Sequence, residues 1–234
     1  MIKLNLQMFG GGKSGLDKAS PGGGGGSEGG DNDNYSNGLG FQNEDLRQSI
    51  GKRSRPMGIA RAAKGANPNY NSEYADFSEN CQRAVSAYEM RRRGYNVTAE
   101  ATYKNDILPT TAYRNPRTNA KSFRFTGAFQ HAKTEAVRGT TPQAMRKDFE
   151  AKMKKYGPGS RAFFTFGWKG AHYGHVINVE NQGGRIRYID AQVGKEYDGK
   201  ELFNRIRPDS ANVTRVDNLR ISARMAKSVT KRYS

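Results

Sequence analysis

Three side chains set the chemical question. Cys81 is the single cysteine among 234 residues, so no intramolecular disulfide and no four-thiolate zinc site can form. Any use it has beyond packing lies in thiolate reactivity. It follows Asn80, a good N-cap type, at the start of QRAVSAYEMRRR. There Ala84, Val85, Tyr88 and Arg92 recur on one helical face, and Gly94 stands as a C′ residue. At the first turn of such a helix, unpaired amides and the positive dipole end favour a thiolate. Three arginines in the last turn suit the negative end.

The second and third side chains are His175 and Asp190, carried by the strand-like runs GHVINVE and RIRYIDAQ. Alternation puts His175 on one face with Ile177 and Val179, and Asp190 with Ile186 and Tyr188. Joining the apolar sets sets Val179 opposite Ile186, Ile177 opposite Tyr188, and His175 opposite Asp190, with a four-residue loop Asn181 to Gly184. A carboxylate bonded to one imidazole nitrogen selects the tautomer and stabilises the imidazolium formed when a proton is taken. Taken singly, each residue has an ordinary reading: a satisfied core histidine, a small buried thiol. Together, a cysteine opening a helix and a later strand histidine and strand aspartate follow the chain order of a papain-like thiol amide hydrolase.

Metal binding finds less support. His172 and His175 are three apart, which suits a helix, whereas a strand points them to opposite faces. His131 has no partner in the pattern, and neither metal nor cofactor is expected.

The elements that position these residues follow from composition. Lys and Arg number 39 against 22 Asp and Glu, a net charge of +17. The first 40 residues hold 13 of the 28 glycines. Residues 1–42 read as a disordered glycine-rich arm with a docking-like opening, 43–66 as a basic linker, 67–219 as the folded domain and 220–234 as a basic tail. Linker and tail are candidate contacts for nucleic acid or an acidic surface. No apolar run is long enough for a membrane helix and no signal sequence is visible, so no membrane partner is expected. Within the domain, a strand at YNVTAEA, a helix from Thr141 to Tyr156 opened by Thr-Pro and closed by GPG, and a strand at RAFFTFGW complete an α+β arrangement.

Two resemblances extend this reading. NPNY (Asn67 to Tyr70), NCQRAVSAYEMRRRGYNVTA, GHVINVE, RYIDAQVG and VTRVDNL resemble the papain-fold toxin domain. That family occurs in polymorphic toxins and at the C-terminal ends of phage minor head proteins, and is related to bacterial protein-glutamine deamidases. The resemblance implies a papain-like fold, with Cys81 as nucleophile, His175 as base and Asp190 as the orienting carboxylate. Gln192 matches a glutamine that commonly follows. The Cys81 N–H and the Asn80 or Gln192 side chain are candidates for the oxyanion. Ala84 stands where a second cysteine is often found and Ala191 where proline is often found; neither removes a triad member. The implied substrate is a protein carboxamide or peptide bond, since deamidase, peptidase and transglutaminase differ only in acyl donor and acceptor. The opening MIKLNLQMFGG resembles the leader of structural proteins of tailed phages of Gram-positive hosts. It implies phage structural partners, a place in the virion and delivery to the host bacterial cytoplasm. The alternative is a non-enzymatic basic minor head protein whose papain-like domain is inert and contacts DNA or other capsid proteins.

Overall fold

The computed structural model describes residues 46–102, 112–114 and 121–232; the glycine-rich arm expected over 1–42 lies outside the described residues. In chain order the elements are α1 (Ile59–Ala66), α2 (Ala75–Ser78), α3 (Cys81–Arg92), β1 (Val97–Ala99), β2 (Ala112–Arg114), β3 (Lys121–Phe123), a 3-10 helix (Arg124–Ala128), β4 (Thr134–Ala136), α4 (Pro142–Tyr156), β5 (Arg161–Gly167), β6 (Gly174–Gln182), β7 (Arg185–Asp190), β8 (Lys195–Tyr197), α5 (Gly199–Arg205), β9 (Asn212–Arg215), α6 (Ala223–Val229) and β10 (Thr230–Arg232). Six strands form one antiparallel sheet in the order β4-β9-β5-β6-β7-β8. The pairs β1-β10 and β2-β3 stand apart from it.

Alternation along β5 and β6 divides the core in two. Phe163, Val176 and Ile189 join α3 and α1 in one apolar cluster; Phe164, Phe166, Ile177, Val179 and Tyr188 join α4 and α5 in the other. Helix α4 forms where Thr141 and Pro142 predict it: the Thr141 hydroxyl accepts the Ala144 N–H at 3.2 Å. Its Met145, Phe149 and Met153 are buried at helical spacing, and Gly157 ends it with φ +92°. Phe149 meets Phe164 at 4.3 Å between ring centroids.

Helix α3 differs from the amphipathic reading, because every residue from Cys81 to Arg91 is buried. Several of its charged side chains are matched instead of solvated. Glu89 accepts from both Arg93 and Arg161 at 2.7 Å, and Glu180 accepts from Arg92 at 2.6 Å and the Tyr88 hydroxyl at 2.7 Å. Two of the three arginines expected to serve a helix dipole, Arg92 and Arg93, are therefore the partners of buried carboxylates, and Arg91 donates to the Val97 carbonyl and the Asn96 side chain. Gly94 follows with φ +98° and its carbonyl accepts from the Ser54 N–H and hydroxyl.

Two segments read as linker and tail are part of the body. Within 43–66, Ile50, Met57, Ala62, Ala63 and Ala66 are buried in the α3 cluster. Within 220–234, Ile221, Ala226 and Val229 are buried there too, and β10 pairs with β1. Their basic composition hides small apolar residues that line up only once the helices form.

The central hairpin also differs. Val179 pairs with Tyr188 and Asn181 with Ile186, two residues from the expected register, and the turn shrinks to Gly183–Gly184 with φ +63° and +100°. Positive φ at both turn residues is what a two-residue hairpin requires. Asn181 is buried in strand, donating to the Met153 and Gly157 carbonyls at 3.0 and 3.1 Å, so it cannot serve as loop. A slip of two preserves the faces.

Candidate active site

The register shift makes His175 and Asp190 diagonal neighbours at strand ends, not directly opposed. Pairing of β6 with β7 stops at Asn178–Ile189, and the side chains converge beyond that rung. His175 Nε2 lies 2.8 Å from Asp190 Oδ2. Cys81, at the first position of α3, faces the same imidazole closely enough to act on its charge. With Nε2 turned to Asp190, Nδ1 is the nitrogen left for the thiol. The three residues from α3, β6 and β7 are thus brought together, with relative exposures of 2% for Cys81, 6% for His175 and 1% for Asp190. At that burial, charge interactions are weakly screened.

Burial by itself would depress the imidazole. The Asp190 charge and hydrogen bond, with the Cys81 side chain adding to them, override it and raise His175 to about 10. Burial likewise opposes ionisation of Asp190, but His175, the Tyr197 hydroxyl and the Gln192 N–H together hold it below its ordinary value. Both directions describe an imidazolium facing a carboxylate. Aromatic rings wall off the imidazole: Trp168 stacks on it at 5.9 Å and 21°, and Phe166 meets it edge-on at 6.0 Å. The Arg205 guanidinium covers Trp168 at 4.7 Å.

Asn80 occupies the N-cap position but its side chain does not cap the helix. Its amide nitrogen donates to Asn67 Oδ1 at 2.9 Å and the Glu100 carbonyl at 3.0 Å, while its oxygen accepts from Asn67 Nδ2 at 3.1 Å. Both amide hydrogens are spent, which corrects the expectation that Asn80 donates to an oxyanion. The N–H groups of Arg83 and Ala84 return to the Asn80 carbonyl; those of Cys81 and Gln82 precede the first intrahelical bond and face the helix entrance. The Gln192 side chain donates one amide hydrogen to the Ser78 carbonyl at 2.9 Å, and the Gln192 main-chain carbonyl accepts from Asn67 Nδ2 at 3.0 Å. It ties the end of β7 to the lead-in of α3, with a second amide hydrogen that has no partner among the described residues.

Asn67 and Tyr197 belong to this network without having been assigned a role from sequence. Asn67 stands in the NPNY motif, but nothing in the motif says that it pairs with Asn80. Tyr197 donates to Asp190 Oδ2 at 2.9 Å, a contact created by pairing of β8 with β7. His131 and His172 are exposed. Among the described residues, no three His, Cys, Asp or Glu side chains are grouped to hold a metal ion.

A thiol beside an imidazole fixed by a carboxylate, with helix-entrance amides that have no partner among the described residues, can attack a carbonyl carbon, stabilise the oxyanion and protonate the leaving group. Residues 79–195 match the family described as papain fold toxin 1, glutamine deamidase. No curated protein matches the chain. Among solved structures, the Salmonella effector SpvD, G161 variant, is similar with a TM-score of 0.45 and 12% identity, covering 79% of this chain and 94% of that one.

Proposed function

Because this chain belongs to the papain-fold toxin family of glutamine deamidases, we propose that it is a cysteine-dependent amide hydrolase that converts protein glutamine side chains to glutamate. Cys81 is the nucleophile, His175 the proton carrier and Asp190 the orienting anion. The observation that carries the reading is the single imidazole bonded to Asp190 at 2.8 Å and facing the only thiol.

The Cys81 thiolate adds to the carboxamide carbon, and the oxyanion accepts from the Cys81 and Gln82 N–H groups and the second amide hydrogen of Gln192. His175 gives its proton to the nitrogen, the C–N bond breaks and ammonia leaves a thioester. Neutral His175 then takes a proton from water as the water oxygen attacks the thioester carbon, and the C–S bond breaks to release the glutamate product and restore the Cys81 thiolate beside protonated His175. Asp190 keeps the imidazole in the tautomer both steps need. The test is ammonia release, with the matching amide-to-acid mass change in a protein substrate, by the full chain and by Cys81→Ala. Peptide cleavage in place of ammonia would make it a peptidase with the same triad.

The leader at residues 1–11 supports a further proposal: the protein travels in a phage virion, held to structural proteins through its arm, and acts in the host bacterial cytoplasm. Mass spectrometry of purified particles tests it. The basic surface left by a charge of +17 is compatible with salt-dependent, sequence-tolerant contact with packaged DNA.

A further inference from the structure

The carboxylate that orients His175 has a second side-chain donor. Tyr197 lies on β8, at the edge of the sheet and directly across from Tyr188. Its hydroxyl donates to Asp190 Oδ2 at 2.9 Å, the same oxygen that meets His175 Nε2 at 2.8 Å. The other oxygen, Oδ1, accepts the Gln192 N–H at 3.0 Å. We propose that Tyr197 is a positioning residue of the site: its hydroxyl fixes the Asp190 carboxylate in the orientation that addresses His175 and shares the charge that holds the imidazolium.

Asp190 is 1% exposed, so bulk water cannot supply a second donor to Oδ2, and an acceptor left short in a buried site is costly. Tyr197 reaches it from a half-buried position, where its ring also lines a cavity of about 520 Å³ with Arg146, Glu150, Tyr188 and Asp198. The side chain therefore spans the wall between that cavity and the triad, and phenylalanine fills the same space without the hydroxyl. Burial and then the Asp190 charge push the Tyr197 phenol up, so it stays a neutral donor.

Among the described residues the charged and titratable groups around this pair are few, and they include Lys195, across the ladder from Asp190 on β8. His175 faces Cys81 from α3 and Asp190 from β7. Asp190 faces His175, Tyr197 and, from the segment after α1, Tyr70. Tyr197 faces Asp190, Tyr70 and Arg205 at the end of α5. Within that set the hydroxyl draws negative charge away from the oxygen shared with His175. Without it the imidazolium holds its proton to higher pH, and thioester hydrolysis, which needs neutral imidazole, slows.

The effect on turnover rests on the hydrolase reading; the effect on His175 does not. In the full chain, the imidazole of His175 is titrated by NMR in wild type and Tyr197→Phe, alongside kcat and KM. Tyr197→Phe is expected to move the titration to higher pH and lower kcat roughly tenfold, the scale of one hydrogen bond to a charged group, with KM unchanged. Fluorotyrosine at position 197, a stronger donor of nearly the same shape, should move the titration the other way and keeps the test open if Tyr197→Phe folds poorly. An unmoved titration in both variants overturns the proposal, even if His175→Ala abolishes activity and so sustains the hydrolase. A shift in opposite directions sustains it, even if Cys81 proves indifferent to His175 and the hydrolase reading falls.

Discussion

Asp190→Asn is the substitution for which the structure gives the most definite expectation. The change keeps the shape of the side chain and removes its charge. It also creates a conflict of donors, because Oδ2 faces His175 Nε2 and Tyr197 OH while Oδ1 faces the Gln192 N–H. Either orientation of the asparagine amide turns an NH₂ group toward a donor, and relief requires the imidazole to change tautomer, taking the proton to the nitrogen that should meet Cys81. In the wild type the carboxylate lifts His175 from 6.5 to about 10 against the effect of burial. Its loss should return the imidazole toward the ordinary value, a change of roughly 4 to 5 kcal/mol in proton affinity. Only part of this reaches the transition state, so a fall in kcat of about 10³ to 10⁴ is expected, as for the same change in other triads. Ammonia release gives the rate, and NMR titration assigns His175 apart from the two exposed histidines by their single substitutions. Unchanged titration and turnover in a folded Asp190→Asn protein would refute the electrostatic account of the site.

Further expectations concern stability. His175 is raised on folding, so its contribution is complete below pH 6.5 and is lost as pH rises toward about 10, whereas Asp190 is lowered and its contribution is lost as pH falls below 3.8. Melting temperature should therefore decline above pH 6.5 in the wild type and much less in Asp190→Asn, as read by differential scanning calorimetry. Glu180→Ala removes the acceptor of Arg92 and of the Tyr88 hydroxyl from a site 1% exposed, and should cost about 3 to 5 kcal/mol in urea unfolding. In Gly94→Ala the new methyl meets the Ser54 carbonyl oxygen at a backbone φ of +98°, for an expected loss of roughly 1 to 3 kcal/mol.

The parts of the fold that sequence reveals are those whose stability is local. Helix α4 carries its own cap, proline and glycine stop, and β5 to β7 carry period-two apolar patterns. The His175–Asp190 pair was legible because any register that joins the apolar faces must put both residues on one side of the sheet. The register itself was not, since Val179 can face Ile186 or Tyr188 equally well and the choice falls to Asn181, which is recruited by the end of α4. Helix α3 carries charges that look solvated, and only the tertiary fold shows Glu89 and Glu180 waiting for Arg93, Arg161 and Arg92. Asn80 looked like a cap, yet Asn67, thirteen residues earlier, claims its amide. Tyr197 left no signal, because its value depends on a three-residue strand whose pairing with β7 sets it beside Asp190.

The central claim is that Cys81 and His175 act as one nucleophilic unit. Because Cys81 is the only thiol, iodoacetamide labelling followed by intact mass reports it alone, and the rate can be traced against pH in wild type and in His175→Ala. A reactive wild-type thiol at pH 6, lost in His175→Ala, is the predicted result. Equal labelling of the two proteins at every pH, or a wild-type thiol that does not react while the protein is folded, would contradict it.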